Sequence, residues 1–114
     1  MRTLILISDI GSQKRDYERF GIQLLKKKFN VLYLDCTKWL QPNFYKNKTE
    51  KDFSFKEKIV TKNFKQLESI IKKNKKIVGI IDLLGVSEKH QKIRSFIKKN
   101  KIKLIFILNI ELKT

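Results

Sequence analysis

Residues 3–12 read Thr-Leu-Ile-Leu-Ile-Ser-Asp-Ile-Gly-Ser, an unbroken apolar run that stops in a polar, glycine-containing loop just before a helical pattern begins. A strand that is apolar on both faces has to be covered on both faces, which is the situation of a central strand in a parallel sheet. Such a strand delivers its loop to the carboxyl edge of the sheet. Open α/β sheets bind ligands there. One stretch thus specifies a fold class and nominates a binding edge.

The remaining segments alternate in the way that fold class requires. A helical stripe at 15–28 spaces Tyr17, Phe20, Leu24 and Leu25 along one face, with Gly21 beside them and Lys26, Lys27 and Lys28 in its last turn. A glycine on an inward helix face points to close packing against the sheet. Residues 31–35 read as a second strand ending in Asp35, and 57–61 as a short third one. Between them, 37–55 carries Trp39, Pro42, Phe44, Tyr45, Phe53 and Phe55 without a sustained period. So many aromatics predict an ordered loop with a short helical turn, lying over one face of the sheet. A helix follows at 63–74, capped by Asn63 with Gln66 three residues on. The fourth strand, 76–84, leads through Asp82 to Gly85; Ser87 caps a third helix, and 103–108 forms a fifth strand.

The pattern predicts one Rossmann-like α/β domain over residues 1–114, with no internal repeat and no low-complexity linker. Its sheet is five-stranded, mainly parallel and ordered 3-2-1-4-5, with three helices and the aromatic-rich loop around it. No helical pattern follows the fifth strand, so the sheet face around Phe106 and Leu108 is expected to be a partner surface, for a second Rossmann half or a second copy of the chain.

Charge is the other strong signal. Lys and Arg number 27 against 11 Asp and Glu, a formal net charge of +16. Such an imbalance suits a polyanionic partner: nucleic acid, an anionic leaflet or a phosphorylated ligand. Heavy use of lysine, isoleucine, asparagine and phenylalanine without a single alanine is also what an AT-rich genome writes on any surface. No stretch of about 18 apolar residues occurs, and the amino-terminal run is too short and too soon followed by Asp9 for a signal peptide. Cys36 stands alone, so an internal disulfide is excluded and a reducing, cytoplasmic setting is expected.

Candidate chemistry gathers at the strand ends. Asp9, Gly11 and Ser12 follow the first strand, before a helix amino terminus where backbone N–H groups favour anions. The dinucleotide fingerprint needs three spaced glycines, and Gly11 alone is present. Asp35 stands where dinucleotide proteins hold ribose hydroxyls, and Asp82 with Gly85 shares that edge. Three strand-end acids are oxygen ligands that could gather Mg²⁺, although neither a metal nor any other cofactor is expected. His90 reads as an exposed residue at a helix start, and no base lies near Cys36 in sequence. No catalytic residue is assigned.

Three segments carry a family resemblance: Leu-Ile-Leu-Ile-Ser-Asp-Ile-Gly-Ser at 4–12, Asp16-Tyr-Glu-Arg-Phe-Gly21, and Val-Leu-Tyr-Leu-Asp-Cys-Thr-Lys-Trp-Leu at 31–40 with Pro42. Together they resemble the opening of bacterial surface-polysaccharide (capsule and O-antigen) proteins, similar to the amino-terminal half of GT-B glycosyltransferases. That resemblance implies an acceptor- or partner-binding domain, not catalytic by itself, that needs a second half for transfer. Position by position it assigns acceptor contact to loops containing Asp9, Gly11 and Ser12, then Asp35 and Trp39, then Asp82 and Gly85. It also implies a cytoplasmic protein held peripherally at the inner face of the membrane, its lysines facing anionic lipid. Two other expectations stand beside it: a basic module for nucleic acid or another polyanion, and a small nucleotide- or flavin-binding domain of flavodoxin-like shape.

Overall fold

The computed structural model describes residues 1–11, 14–49 and 51–106, with the backbone alone at 15 and 16. Ser12 and Leu108 lie outside the described residues, so their expected roles in ligand contact and the partner face do too. Five strands, β1 (Thr3–Ser8), β2 (Asn30–Asp35), β3 (Lys58–Val60), β4 (Ile77–Leu83) and β5 (Leu104–Phe106), form an all-parallel sheet ordered β3-β2-β1-β4-β5. Fold class and strand order are as expected. All six residues of β1 are buried, and they alternate between two cores. Ile5 and Ile7 pack into one, Leu4 and Leu6 into the other. Burying each such side chain contributes roughly 1.5–3 kcal/mol, so the first strand anchors both layers.

One face is covered by α3 (Thr37–Leu40), α5 (Phe64–Lys73) and α6 (Glu88–Lys99), through Leu40, Leu67, Ile71, Ile93 and Ile97. The opposite face carries α1 (Lys14–Arg19) and α2 (Ile22–Leu25), with Ile22 buried and Tyr17, Phe20 and Leu25 against it. Asn63 caps α5 as expected: its side chain accepts the Gln66 N–H at 2.8 Å, and the Gln66 side chain accepts the Lys62 N–H at 2.7 Å.

Two expectations need correction. The helix at 15–28 is two short helices, because Gly21 takes a left-handed φ of 64° and breaks the α1–α2 path. A Cβ there would meet nothing within 4 Å, so conformation and not close packing selects this glycine. The 37–55 stretch contains α3 and α4 (Pro42–Asn47) and serves both faces of the sheet, where cover of one face was expected. Trp39 packs with Phe64 on the α5 side, while Phe53 and Phe55 gather against Tyr17 and Tyr33 on the α1 side. Between those two packings the segment meets the carboxyl edge of the sheet, where Gln41 donates to Asp9 and Asp52 lies beside Gly11. Among the described residues no helix is long and apolar enough to cross a membrane.

Candidate functional site

The parallel topology brings the loops after β1, β2 and β4 to one edge, and with them Asp9, Asp35 and Asp82. All three carboxylates are buried. A buried charge is tolerated only when paired and hydrogen-bonded, so their partners determine what this edge can do.

Asp9 is met from two sides. Its Oδ2 lies 2.5 Å from His90 Nε2 and accepts the Gln41 side-chain N–H at 3.0 Å. The other ring nitrogen of His90 accepts the Ser87 backbone N–H at 2.9 Å, so the proton sits on Nε2 and is donated to Asp9. His90 holds the third helical position of α6, where Glu or Gln ordinarily completes a capping box. It is only 3% exposed, contrary to the exposed position expected of it. Gly85 makes the approach feasible: a Cβ there would lie 3.0 Å from the His90 ring. With both nitrogens engaged, His90 has no lone pair free for acid–base work.

Asp35 closes an Asx-turn on the chain just after it. Its Oδ1 accepts the Thr37 backbone N–H at 3.0 Å and the Thr37 hydroxyl at 2.6 Å, while Lys58 Nζ stands 3.9 Å from Oδ2. The Thr37 hydroxyl oxygen in turn accepts the Gly11 N–H at 2.6 Å, and Tyr33 donates its hydroxyl to the Gly11 carbonyl at 3.2 Å. Gly11 adopts a φ of 82°, and a Cβ on it would sit 2.8 Å from Asp52 Oδ1. Its backbone is consumed by protein contacts and does not form an open anion cradle.

Asp82 is held by Arg94, whose Nε and Nη2 reach the two carboxylate oxygens at 2.6 and 3.2 Å; the same guanidinium donates to the Leu84 carbonyl at 3.2 Å. Trp39 meets no carboxylate of this edge; it donates its indole N–H to Thr61 at 2.9 Å, and the Thr61 hydroxyl donates to the Asp35 carbonyl at 3.2 Å. Burial pushes the Cys36 thiol up to about 12, against its Thr61 hydrogen bond, so the thiolate nucleophile is suppressed. Among the described residues no cluster of three His, Cys, Asp or Glu side chains could hold a metal ion.

The structure thus brings together Asp9, Gly11, Asp35, Asp82 and Gly85 as the sequence suggests, and gives them structural partners. Sequence reasoning missed those partners, His90, Gln41 and Arg94. The one local signal for them was Ser87-Glu88-Lys89-His90, a capping-box spacing with histidine in the acceptor place.

The opposite edge has another character. The carboxyl ends of α2, α5 and α6 and the strand starts return to it, bringing Arg2, Lys56, the lysines at 26–28, four more at 72–76 and four at 98–103. That is 13 basic residues, and the acid among them is Glu57, 3.1 Å from Lys26. The rest of the sequence carries 14 basic against 10 acidic residues, so +12 of the +16 net charge belongs to this amino edge. Two grooves open there. One of about 620 Å³ is lined by Met1, Lys26, Phe29, Asn30 and Lys56 among others; one of about 330 Å³ runs between the ends of α5 and α6.

No family model, no curated protein and no solved structure matches this chain.

Proposed function

We propose that this protein is a non-catalytic binding module for a polyanion, and that it binds through the amino edge of its sheet. The polarisation of charge carries this reading. Drift of composition toward lysine would decorate every edge alike, whereas here three quarters of the excess lies on one. Helix dipoles account for part of that bias, since cations in a last turn stabilise by about 0.3–1 kcal/mol each. They leave Arg2, Lys26, Lys27, Lys28, Lys56, Lys75, Lys76, Lys101 and Lys103, which lie outside the helices. The carboxyl edge supports the same reading from the other side: its acids and its histidine are committed internally, leaving no general base, activated nucleophile or open phosphate cradle among the described residues.

The test keeps net charge constant. Lys27→Gln/Lys28→Gln/Lys73→Gln at the amino edge is compared with Lys38→Gln/Lys46→Gln/Lys62→Gln elsewhere, using heparin, duplex DNA, polyphosphate and anionic vesicles across a salt series. The amino-edge triple is expected to weaken binding of at least one of these several-fold more than the control triple. Equal losses from both would mean that charge alone is at work, and would refute the proposal.

A second reading, the acceptor- or partner-binding half of a GT-B-like surface-polysaccharide transferase, draws its support from the carboxyl-edge loops. Ile10 and Val86 are exposed on either side of the Asp9–His90 contact, apolar footholds for a facing domain. Transfer would then require a second half, and Ile10→Asp/Val86→Asp would abolish its association with this chain.

A further inference from the structure

Helices α5 and α6 end in the same four residues, Lys72-Lys73-Asn74-Lys75 and Lys98-Lys99-Asn100-Lys101, and both ends border one groove. Each asparagine makes the same side-chain bond at its helix end, donating its side-chain N–H to the carbonyl four residues back at 2.8 Å, Asn74 to Ile70 and Asn100 to Phe96. Ile71, Ile77 and Ile102 also line the groove, with Lys72, Lys75 and Lys101 exposed around it.

Lys101 is exceptional. It adopts a φ of 58°, the one left-handed non-glycine among the described residues. The geometry is a Schellman ending: the Lys101 N–H donates to the Lys98 carbonyl at 2.9 Å and the Ile102 N–H to the Ile97 carbonyl at 3.2 Å. Glycine is the residue this position favours, since a Cβ is strained there. A side chain kept at a strained position suggests a role for that side chain.

Building on the polyanion reading, we infer that the groove between α5 and α6, with Lys72, Lys75 and Lys101 on its rim, seats the phosphodiester backbone of a nucleic acid. A compact phosphate is a poor fit. Both helices present carboxyl ends, whose carbonyls repel an anion, and offer no N–H cradle of the kind a helix amino terminus supplies. Binding must come from flexible ammonium groups reaching past those carbonyls, each weak, which suits a polymer that releases counterions along its length. A bilayer fits less well than a strand. The groove is concave, and among the described residues no exposed large apolar residue lines it. From β2 to β5 the edge spans three strand spacings, about 14 Å, or roughly four phosphates of one strand.

The experiment measures affinity for a 20-base single strand and a 20-base-pair duplex against salt, with vesicles rich in anionic lipid and inorganic polyphosphate as competing probes. Wild type should bind nucleic acid with a log–log salt slope near about −3 to −4. Lys72→Gln/Lys75→Gln/Lys101→Gln should lower the slope's magnitude by about two to three, as loss of one contact per lysine requires. Lys101→Gly provides the second arm: it should raise the melting temperature while weakening nucleic-acid affinity about threefold or more, a split that a merely structural lysine would not produce. An unchanged slope in the triple variant, or Lys101→Gly binding as wild type, overturns the groove assignment while edge-dependent polyanion binding stands. Vesicles or polyphosphate bound in an edge-dependent way, with nucleic acid not bound, overturns the nucleic-acid class. No edge dependence with any probe removes the underlying reading as well.

Discussion

The two edges of the sheet are built from opposite materials and solve opposite problems. At the carboxyl edge three carboxylates are buried and each is answered by a named partner: Asp9 by His90 and Gln41, Asp35 by Thr37, Asp82 by Arg94. At the amino edge 13 basic residues stand almost without acids, and among the described residues Lys26 is the one of them in an ion pair. Charge that is buried and paired is costly to disturb; charge that is solvated and unopposed costs little to remove. The first edge is therefore expected to govern stability, and the second binding.

Substitutions can break that division, and Arg94→Ala should have the largest effect. It leaves the Asp82 carboxylate buried without its bidentate partner, and stability should fall by about 3 kcal/mol in urea titrations. Arg94→Lys should recover only part of this, because a point charge cannot replace the fork. Next comes His90→Ala, which removes the donor to Asp9 and the acceptor for the Ser87 N–H, at about 2 kcal/mol by the same measurement. A loss below about 0.5 kcal/mol in either variant would mean that the carboxyl edge is not held by these pairs.

Cys36 gives a pH-dependent test in the core beside that edge. Its thiol is raised by burial from 9.0 to about 12, so the fold favours the protonated form. That contribution is whole below pH 9 and is lost as pH rises from 9 toward 12, at about 1 kcal/mol per unit. Between pH 9 and 10 the wild type should lose about that much more stability than Cys36→Ala. The smallest effects belong to the amino edge: Lys27→Gln/Lys28→Gln/Lys73→Gln should stay within about 0.5 kcal/mol of wild type, and Lys101→Gly should gain about 0.5–1 kcal/mol.

Much of this architecture was legible from sequence where a signal is periodic. The run at 4–7 is apolar at every position, so burial of the first strand on both faces, and with it the parallel sheet and the order 3-2-1-4-5, was readable from local pattern. Gly21 was visible but misread. A helical stripe tolerates a glycine for packing or ends at one for conformation, and only the φ of 64° distinguishes the two. The aromatic stretch gave composition without direction, and so hid that Trp39 and Phe55 serve opposite faces. The strand-end acids were placed at the correct edge, yet their availability was invisible. Asp9 and His90 are separated by 81 positions, and no local rule joins them. The charge imbalance could be counted from the start, but its polarity could not, because it arises only when α2, α5 and α6 return their lysine-bearing ends to the same side.

The Asp9–His90 contact also has a kinetic consequence. It joins the loop after β1 to the loop before α6 at the point where the chain reverses its winding direction, where sheets of this kind usually part to admit a ligand. Two loops so joined cannot fluctuate separately; opening either exposes both a carboxylate and an imidazole. Amide hydrogens near residues 9–11 and 85–87 should then exchange with solvent at one shared rate, as a single cooperative unit assembled from opposite halves of the chain.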